Sequence, residues 1–241
     1  MRSSTWWVSS VAVEAVIFDW GGTLTPWRTI DPVDEWRALA EVAAPDRVDD
    51  ATNALLEAAT TVWTRSRDVH ASSTIEEICS LAGIAYDDGH WAGYRAFWNS
   101  ATTADPEAAD VLAGLRRHGI RIGVLSNTVW PRAWHEEIFR RDGLDRLIDA
   151  AVYTSEIPWT KPAPEAFHAA MHAVGVAEPD ACVFVGDRLF DDIYGARNAG
   201  MRAVHLPHSD IPVTQVGHTL GEPDAVIQRL SDLPSVIEPW R

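Results

Sequence analysis

Two apolar runs in this chain end in carboxylates. Val16-Ile17-Phe18 stops at Asp19, and Val183-Phe184-Val185 stops at Gly186-Asp187, with Asp191 and Asp192 within the next turn. Aspartates delivered to the ends of two strands are hard oxygen ligands, and a pair of them suggests a divalent-cation site. Asp19 is followed by Trp20-Gly21-Gly22-Thr23, so this carboxylate stands where the chain breaks rather than where it packs. Ile122-Gly123-Val124-Leu125 likewise ends in Ser126-Asn127, a hydroxyl and an amide. Thr160-Lys161-Pro162 sets a lysine just ahead of a Pro-initiated helix, and Lys161 is the only lysine in the chain.

Each run reads as a buried strand that delivers its carboxylate to the C-terminal edge of a parallel sheet, whose central strands are continuous apolar runs. From Asp105 onward the pattern fits such a sheet. Ala108, Val111, Leu112 and Leu115 fall at helical spacing before a strand over Ile120 to Leu125. Helical patterns follow at Arg132 to Arg141 and Pro164 to Val174, where Phe167, Ala170, Met171 and Val174 share a face. Short strands are predicted near Ala150 to Tyr153, Cys182 to Gly186 and Arg202 to Leu206. The fold class is therefore α/β, a Rossmann-like parallel sheet with helices on both faces.

Residues 25–103 show no strand signal, and Val48, Ala51, Leu55, Ala58 and Val62 recur at helical spacing. Further helices are predicted at Asp34 to Ala43, Thr74 to Ala82 and Gly89 to Ser100, with breaks at Pro45, Gly83-Ile84 and Asp87-Asp88-Gly89. The expected organisation is an α/β core of residues 1–24 and 104–241 with an inserted all-α domain, 25–103. The Ser- and Trp-rich first dozen residues read as a loose extension, or an over-long assigned start, ahead of the first strand.

In its order of Asp, then Ser, then Lys, then Gly-Asp, the chain resembles the haloacid dehalogenase-like superfamily. The resemblance implies that Asp19 attacks phosphorus to form an aspartyl phosphate that water then cleaves. It implies that Thr23 and Ser126 offer hydroxyls to the phosphoryl oxygens and that Lys161 is counter-ion to the phosphate and the nucleophile. Mg²⁺ would be held by Asp19, Asp187 and the backbone carbonyl of Gly21, supported from one turn away by Asp192 or Asp191. Asp192, preceding Ile193, is the better match; as a plainer role, both aspartates suit the first turn of a helix. By the same resemblance the insertion is a small helical cap that closes over the site and selects substrates. Asn127, Trp20 and Arg28 are candidates for substrate binding.

One departure bears on mechanism. Most phosphatases of the superfamily carry a second aspartate two positions after the nucleophile, and here that position is Gly21. The missing general acid/base is worth roughly 10²–10⁴-fold in rate. His70, in an expected cap loop Arg65 to Ser73, is a candidate replacement, with a solvated loop histidine as the plainer reading. The departure keeps open a catalytically weak or inactive phospholigand-binding or regulatory protein. A phosphonatase-like hydrolase shares Asp-Trp, a small residue and Gly-Thr but needs a cap lysine, and residues 25–103 contain none. Dehalogenases replace the Gly-Asp that is present here as Gly186-Asp187.

Of 12 tryptophans, Trp20, Trp27, Trp130 and Trp159 fall near the motifs, and Trp36, Trp63, Trp91 and Trp98 fall in the insertion. They predict an aromatic-lined pocket or cap-to-core packing. Arg28 and Arg132 are further anion contacts or ordinary surface arginines. His168 and His172, spaced i, i+4 without a third ligand, read as solvent-side helix residues.

At 241 residues and 46% hydrophobic, the chain has ample material for a core. A formal net charge of -15 repels nucleic acid and anionic membranes, so a phosphorylated ligand must meet a local cluster of positive groups. No apolar run approaches the roughly 20 residues of a membrane helix. Cys79 and Cys182 lack Cys-x-x-Cys spacing, so neither a disulfide nor zinc is expected. These features lead to the expectation of a cytoplasmic protein, monomer or homodimer, whose partner is a small phosphorylated molecule rather than nucleic acid or membrane.

Overall fold

In a computed structural model that describes residues 11–87, 91–207 and 218–241, the apolar runs form one six-stranded parallel sheet. Its strands are β1 (Ala15–Phe18), β2 (Arg121–Ser126), β3 (Ala150–Tyr153), β4 (Cys182–Gly186), β5 (Arg202–His205) and β6 (Ala225–Val226). The order β3-β2-β1-β4-β5-β6 means that the chain winds outward from β1 on one side and then crosses to the other. That reversal falls between β1 and β4, the crevice where open α/β sheets bind ligands. Phe18 pairs in register with Val124 of β2 and Val185 of β4. Asp19, Ser126 and Asp187 therefore leave the sheet at the same C-terminal edge.

The helices are α1 (Pro32–Ala43), α2 (Val48–Val69), α3 (Ile75–Leu81), α4 (Trp91–Trp98), α5 (Ala108–Arg117), α6 (Arg132–Arg141), α7 (Pro164–Ala173) and α8 (Gly195–Asn198). Successive residues of β1 feed two separate cores, as the two-residue period of a strand requires. Ala15 and Ile17 pack with Phe167, Met171 and Ile193, while Val16 and Phe18 face Leu112, Leu115 and Phe139. The second core runs on without a break into Trp36, Leu39, Leu55, Ile75 and Tyr94 of the helical insertion.

The insertion starts as its sequence directs. Asp31 caps α1 by accepting from the Val33 amide at 2.8 Å, Pro32 occupies the first turn, and Thr74 caps α3 by accepting from Glu77 N at 3.2 Å. Gly83, at φ 65°, ends the α3 segment in a conformation that glycine adopts without strain. One boundary differs: the stretch from Arg65, expected as a loop, stays helical to Val69. No Gly or Pro interrupts it, and Arg65 is held in place by both oxygens of Glu77 at 2.8 Å. The helix closes at His70, whose φ of 54° turns the chain and whose amide bonds Ser66 O.

Two elements were not legible in the pattern. β6 is only two residues long, and its approach is fixed by Asp224, which accepts from Ala203 N and pairs with Arg197, both at 2.8 Å. A short helix, Leu233–Ile237, buries Leu233 and Ile237 in the core on the α5 side. The expected extension at residues 1–10, and the start of the helix predicted from Gly89, lie outside the described residues. Among the described residues no helix is long and apolar enough to cross a membrane.

Candidate active site

At the crevice, Lys161 Nζ lies 2.6 Å from Asp19 Oδ1 and 2.6 Å from Asp192 Oδ1, and all three groups are buried. Asp187 completes the cluster: Asp19, Asp187 and Asp192 each offer an oxygen within 4.8 Å of the others. Local backbone makes this approach possible. Gly22 has φ 90°, and a Cβ there would stand 2.6 Å from Asp187 Oδ2. A Cβ on Gly186 would collide with the Asp192 side chain. Asp192 sits in a π-helical turn, Leu189–Tyr194, where its Oδ2 accepts from the Arg188 amide at 2.8 Å. Such turns widen a helix locally and recur at functional sites. Asp192, not Asp191, thus joins the carboxylate cluster, while Asp191 lines the wall of the cleft.

Lys161 is fixed from behind. Asn127 Oδ1 accepts from Lys161 N at 2.8 Å, and Asn127 Nδ2 donates to Lys161 O at 3.1 Å. The Asn127 amide, expected at the substrate, is therefore spent on holding the lysine backbone. Ser126 ends β2 at the wall of the cleft. Thr23 is buried, does not line the cleft, and its hydroxyl has no hydrogen-bond partner among the described residues.

The electrostatics follow from burial. Burial pushes the Asp19 carboxyl up to about 6, against the pull of Lys161. Burial, then the neighbouring Asp192 and Asp19 carboxylates, drives Asp187 well above the ordinary carboxylate range. Burial disfavours the Lys161 ammonium, but Asp19 and Asp192 outweigh it and its pKa stands above the usual value. Among the described residues neither oxygen of buried Asp187 accepts a hydrogen bond, and its ion pair is a loose one, with Arg188 Nε at 3.4 Å from Oδ2. A buried carboxylate without hydrogen-bond donors, beside two others, is costly unless further positive charge joins it. The donor set, all oxygen, fits a hard divalent cation.

These groups open onto a cleft of about 670 Å³, walled by Trp20, Trp27, Trp63, Trp98 and Trp130. Trp63 from α2 is 46% exposed, and Trp20 meets Trp130 edge-on at 5.8 Å. The tryptophans thus line the cleft and also pack the insertion on the core. Trp36 is buried against Tyr94, and Trp159 is 41% exposed outside the cleft wall. Arg28 lines the cleft, as does Arg188, whose guanidinium lies over Trp27 at 4.4 Å. Arg188 escaped sequence reading although it directly follows Asp187.

Arg132 is elsewhere: it pairs with Glu156 and lies over Tyr153, so it offers the cleft no charge. His70 lines an adjoining cavity of about 450 Å³ with Asp191 and Arg188 rather than the main cleft. His168 is half-buried with Nε2 3.1 Å from Ala199 O, a packing role instead of the expected solvent position, while His172 is exposed. Cys79 and Cys182 are buried free thiols on separate elements. Because of the φ and the contact at Gly22, Gly22→Ala should lower stability by about 2 kcal/mol or more, seen as a lower urea midpoint.

The chain is similar to several known proteins. A glyceraldehyde 3-phosphate phosphatase of Methanothermobacter thermautotrophicus is 30% identical over 162 residues, 66% of this chain and 66% of its own length. The chain spans 54–66% of the length of four such enzymes. Phosphatase MT3486 of Mycobacterium tuberculosis is 28% identical over 234 residues, covering 95% of this chain and 98% of the relative. The crystal structure of a phosphatase of the same fold from Thermococcus onnurineus superposes with a TM-score of 0.68 at 22% identity, covering 94% of this chain and 98% of that one, and so supports the fold. The family model for haloacid dehalogenase-like hydrolases matches residues 13–200, a span that includes β1 through β4 and every carboxylate of the cluster. With that match across most of its length, the chain belongs to the haloacid dehalogenase-like hydrolase family.

Proposed function

We propose that this chain is a Mg²⁺-dependent phosphatase of a small phosphorylated metabolite, acting through an aspartyl phosphate on Asp19. The observation that carries the reading is Asp19 held against Lys161 beside a buried Asp187 whose oxygens lack hydrogen-bond donors among the described residues. Asp19, Asp187 and the Gly21 carbonyl would hold the cation, with Asp192 behind them. When bound, it would neutralise phosphate charge that builds up during transfer. Lys161 orients the nucleophile, and Ser126, Arg28 and Arg188 line the wall where phosphoryl oxygens would lie. The phosphatase names of the relatives support the substrate class. The apolar cleft wall supports a substrate with an apolar or planar portion, which Trp20, next to Asp19 in the chain and lining the cleft, would contact.

In this reading residues 25–103 are the cap and residues 1–24 and 104–241 the core. A reducing cytoplasm suits the two buried thiols, and the protein acts as a monomer or homodimer. The test is release of inorganic phosphate across a panel of phosphorylated metabolites with Mg²⁺. Chelation should abolish release and Mg²⁺ should restore it.

A second reading, a phospholigand-binding protein without turnover, rests on Gly21. The position lines the cleft, and a Cβ there meets nothing within 4 Å, so an aspartate can be accommodated. On the enzymatic reading the wild type releases phosphate. On the binding reading only Gly21→Asp does.

A further inference from the structure

The empty space at Gly21 leaves the cleft without the usual proton donor, and the insertion presents a carboxyl to the same cleft. Glu35, in the first turn of α1, is half-buried in the cleft wall. Its Oε1 accepts from Tyr94 Oη at 2.7 Å. Trp130 Nε1 in turn donates to Tyr94 Oη at 3.2 Å, and Tyr94 is fully buried. Glu35 has no other partner among the described residues, so Oε2 is left for the cleft. A glutamate packed among tryptophans, fixed by a buried phenol and paired with no cation is costly as a structural element. It is suited to carrying a proton.

We infer that Glu35 is the general acid/base of this site, in place of the aspartate absent at Gly21. The inference rests on the phosphatase reading. As Asp19 forms its bond to phosphorus and the ester P–O bond breaks, the Glu35 carboxyl gives its proton to the leaving oxygen and the alcohol departs. Water then attacks the phosphorus of the aspartyl phosphate and its proton goes to the Glu35 carboxylate. The P–O bond to Asp19 breaks, which restores both carboxyl groups and releases inorganic phosphate.

The surroundings leave the carboxyl able to cycle in this way. On α1, Asp34 is exposed, and Arg37 pairs with Asp49 of α2 at 2.9 Å. On α4, Tyr94 is the bonded phenol, and Arg95 is engaged by Glu137. Arg28, Arg188 and Asp191 line the same cleft, and none of them forms an ion pair with Glu35. Burial pushes Glu35 up to about 7, the Tyr94 hydrogen bond works the other way, and no charged neighbour contributes. A carboxyl near the working pH is the efficient proton carrier.

The test compares the wild type with Glu35→Gln on glycerol phosphate, whose leaving alkoxide needs a proton, and on p-nitrophenyl phosphate, whose leaving group does not. Gln keeps the volume and can still accept from Tyr94, and release of p-nitrophenolate as Asp19 is phosphorylated, a step that needs no proton from Glu35, reports that the variant is folded. The expected result is a loss of about 10²-fold or more in kcat/KM on glycerol phosphate, with less than about threefold on p-nitrophenyl phosphate. The fall of wild-type glycerol phosphate turnover as pH rises past about 7 should also disappear from the variant's profile. An equal loss on both esters, or no loss on glycerol phosphate, overturns the role of Glu35 and leaves the phosphatase reading standing. A wild type silent on both esters overturns both.

Discussion

Asp19→Asn should reduce phosphate release by about 10⁴-fold or more while the protein stays folded. Asparagine keeps the shape and an oxygen that can accept from Lys161 Nζ, now 2.6 Å from Asp19 Oδ1, so the pocket persists. What disappears is the negative oxygen that attacks phosphorus. Burial already holds the Asp19 carboxyl at about 6, which makes the loss of its charge tolerable for folding. Phosphate release on the best substrate, with a urea midpoint measured alongside, checks both halves of the expectation. Full activity in the variant would remove Asp19 from the mechanism. Isotopic water adds a finer distinction: attack by water at phosphorus puts heavy oxygen into the released phosphate. Attack at the carboxyl carbon, as an ester to a carbon skeleton would require, labels Asp19 instead.

Lys161→Met should be the most destructive substitution for stability. The ammonium is buried between Asp19 and Asp192, with the Asp187 carboxyl alongside. Removing one side of a buried ion pair costs about 3–5 kcal/mol because an uncompensated charge is left behind. The variant should also acquire a characteristic pH dependence in metal-free buffer. Without the lysine, the folded-state pKa of Asp19 rises further above its ordinary value near 3.8. A carboxyl raised on folding binds more protons folded than unfolded, so stability is greatest at low pH and falls as pH rises through the folded pKa. Urea midpoints from pH 4.5 to 8 should therefore decline more steeply for Lys161→Met than for the wild type. Parallel profiles would mean that the lysine does not neutralise these carboxylates.

The parts of this site that could be read in the sequence share one physical cause. A parallel sheet covered on both faces makes each central strand a short unbroken apolar run, so the polar residue that ends it stands out. Asp19, Ser126 and Asp187 were visible in that way, and the register of Phe18 with Val124 and Val185 brings their strand ends together. Lys161 was visible by its singularity. Glu35 was not, because a glutamate in the first turns of a helix looks like ordinary favourable dipole charge. Its place in the cleft depends on how α1 packs against α4 and brings Tyr94 to it. Arg132 and Arg28 are alike in sequence, and the Glu156 and Glu136 carboxylates, the Ala151 carbonyl and the Tyr153 ring draw Arg132 aside. Asn127 sits in its expected motif, but its amide turns toward the backbone of a residue 34 positions away.

Between the end of α2 and the segment leading to Lys161 runs a seam of backbone bonds. Thr160 N donates to His70 O at 2.8 Å, Ser72 N donates to Pro158 O at 3.0 Å, and Ala71 and Trp159 form an antiparallel bridge. The Ser72 hydroxyl adds a bond to Ile157 O, and Ser66 Oγ donates to Thr160 Oγ1 at 3.1 Å. The seam ends one residue before the lysine. A swing of the helical insertion that tore it would displace Lys161 as well. On the cap reading proposed above, the seam would therefore serve as the hinge and the Trp27 and Trp98 side as the opening edge, an arrangement that would leave the ammonium at its post against Asp19 in either position.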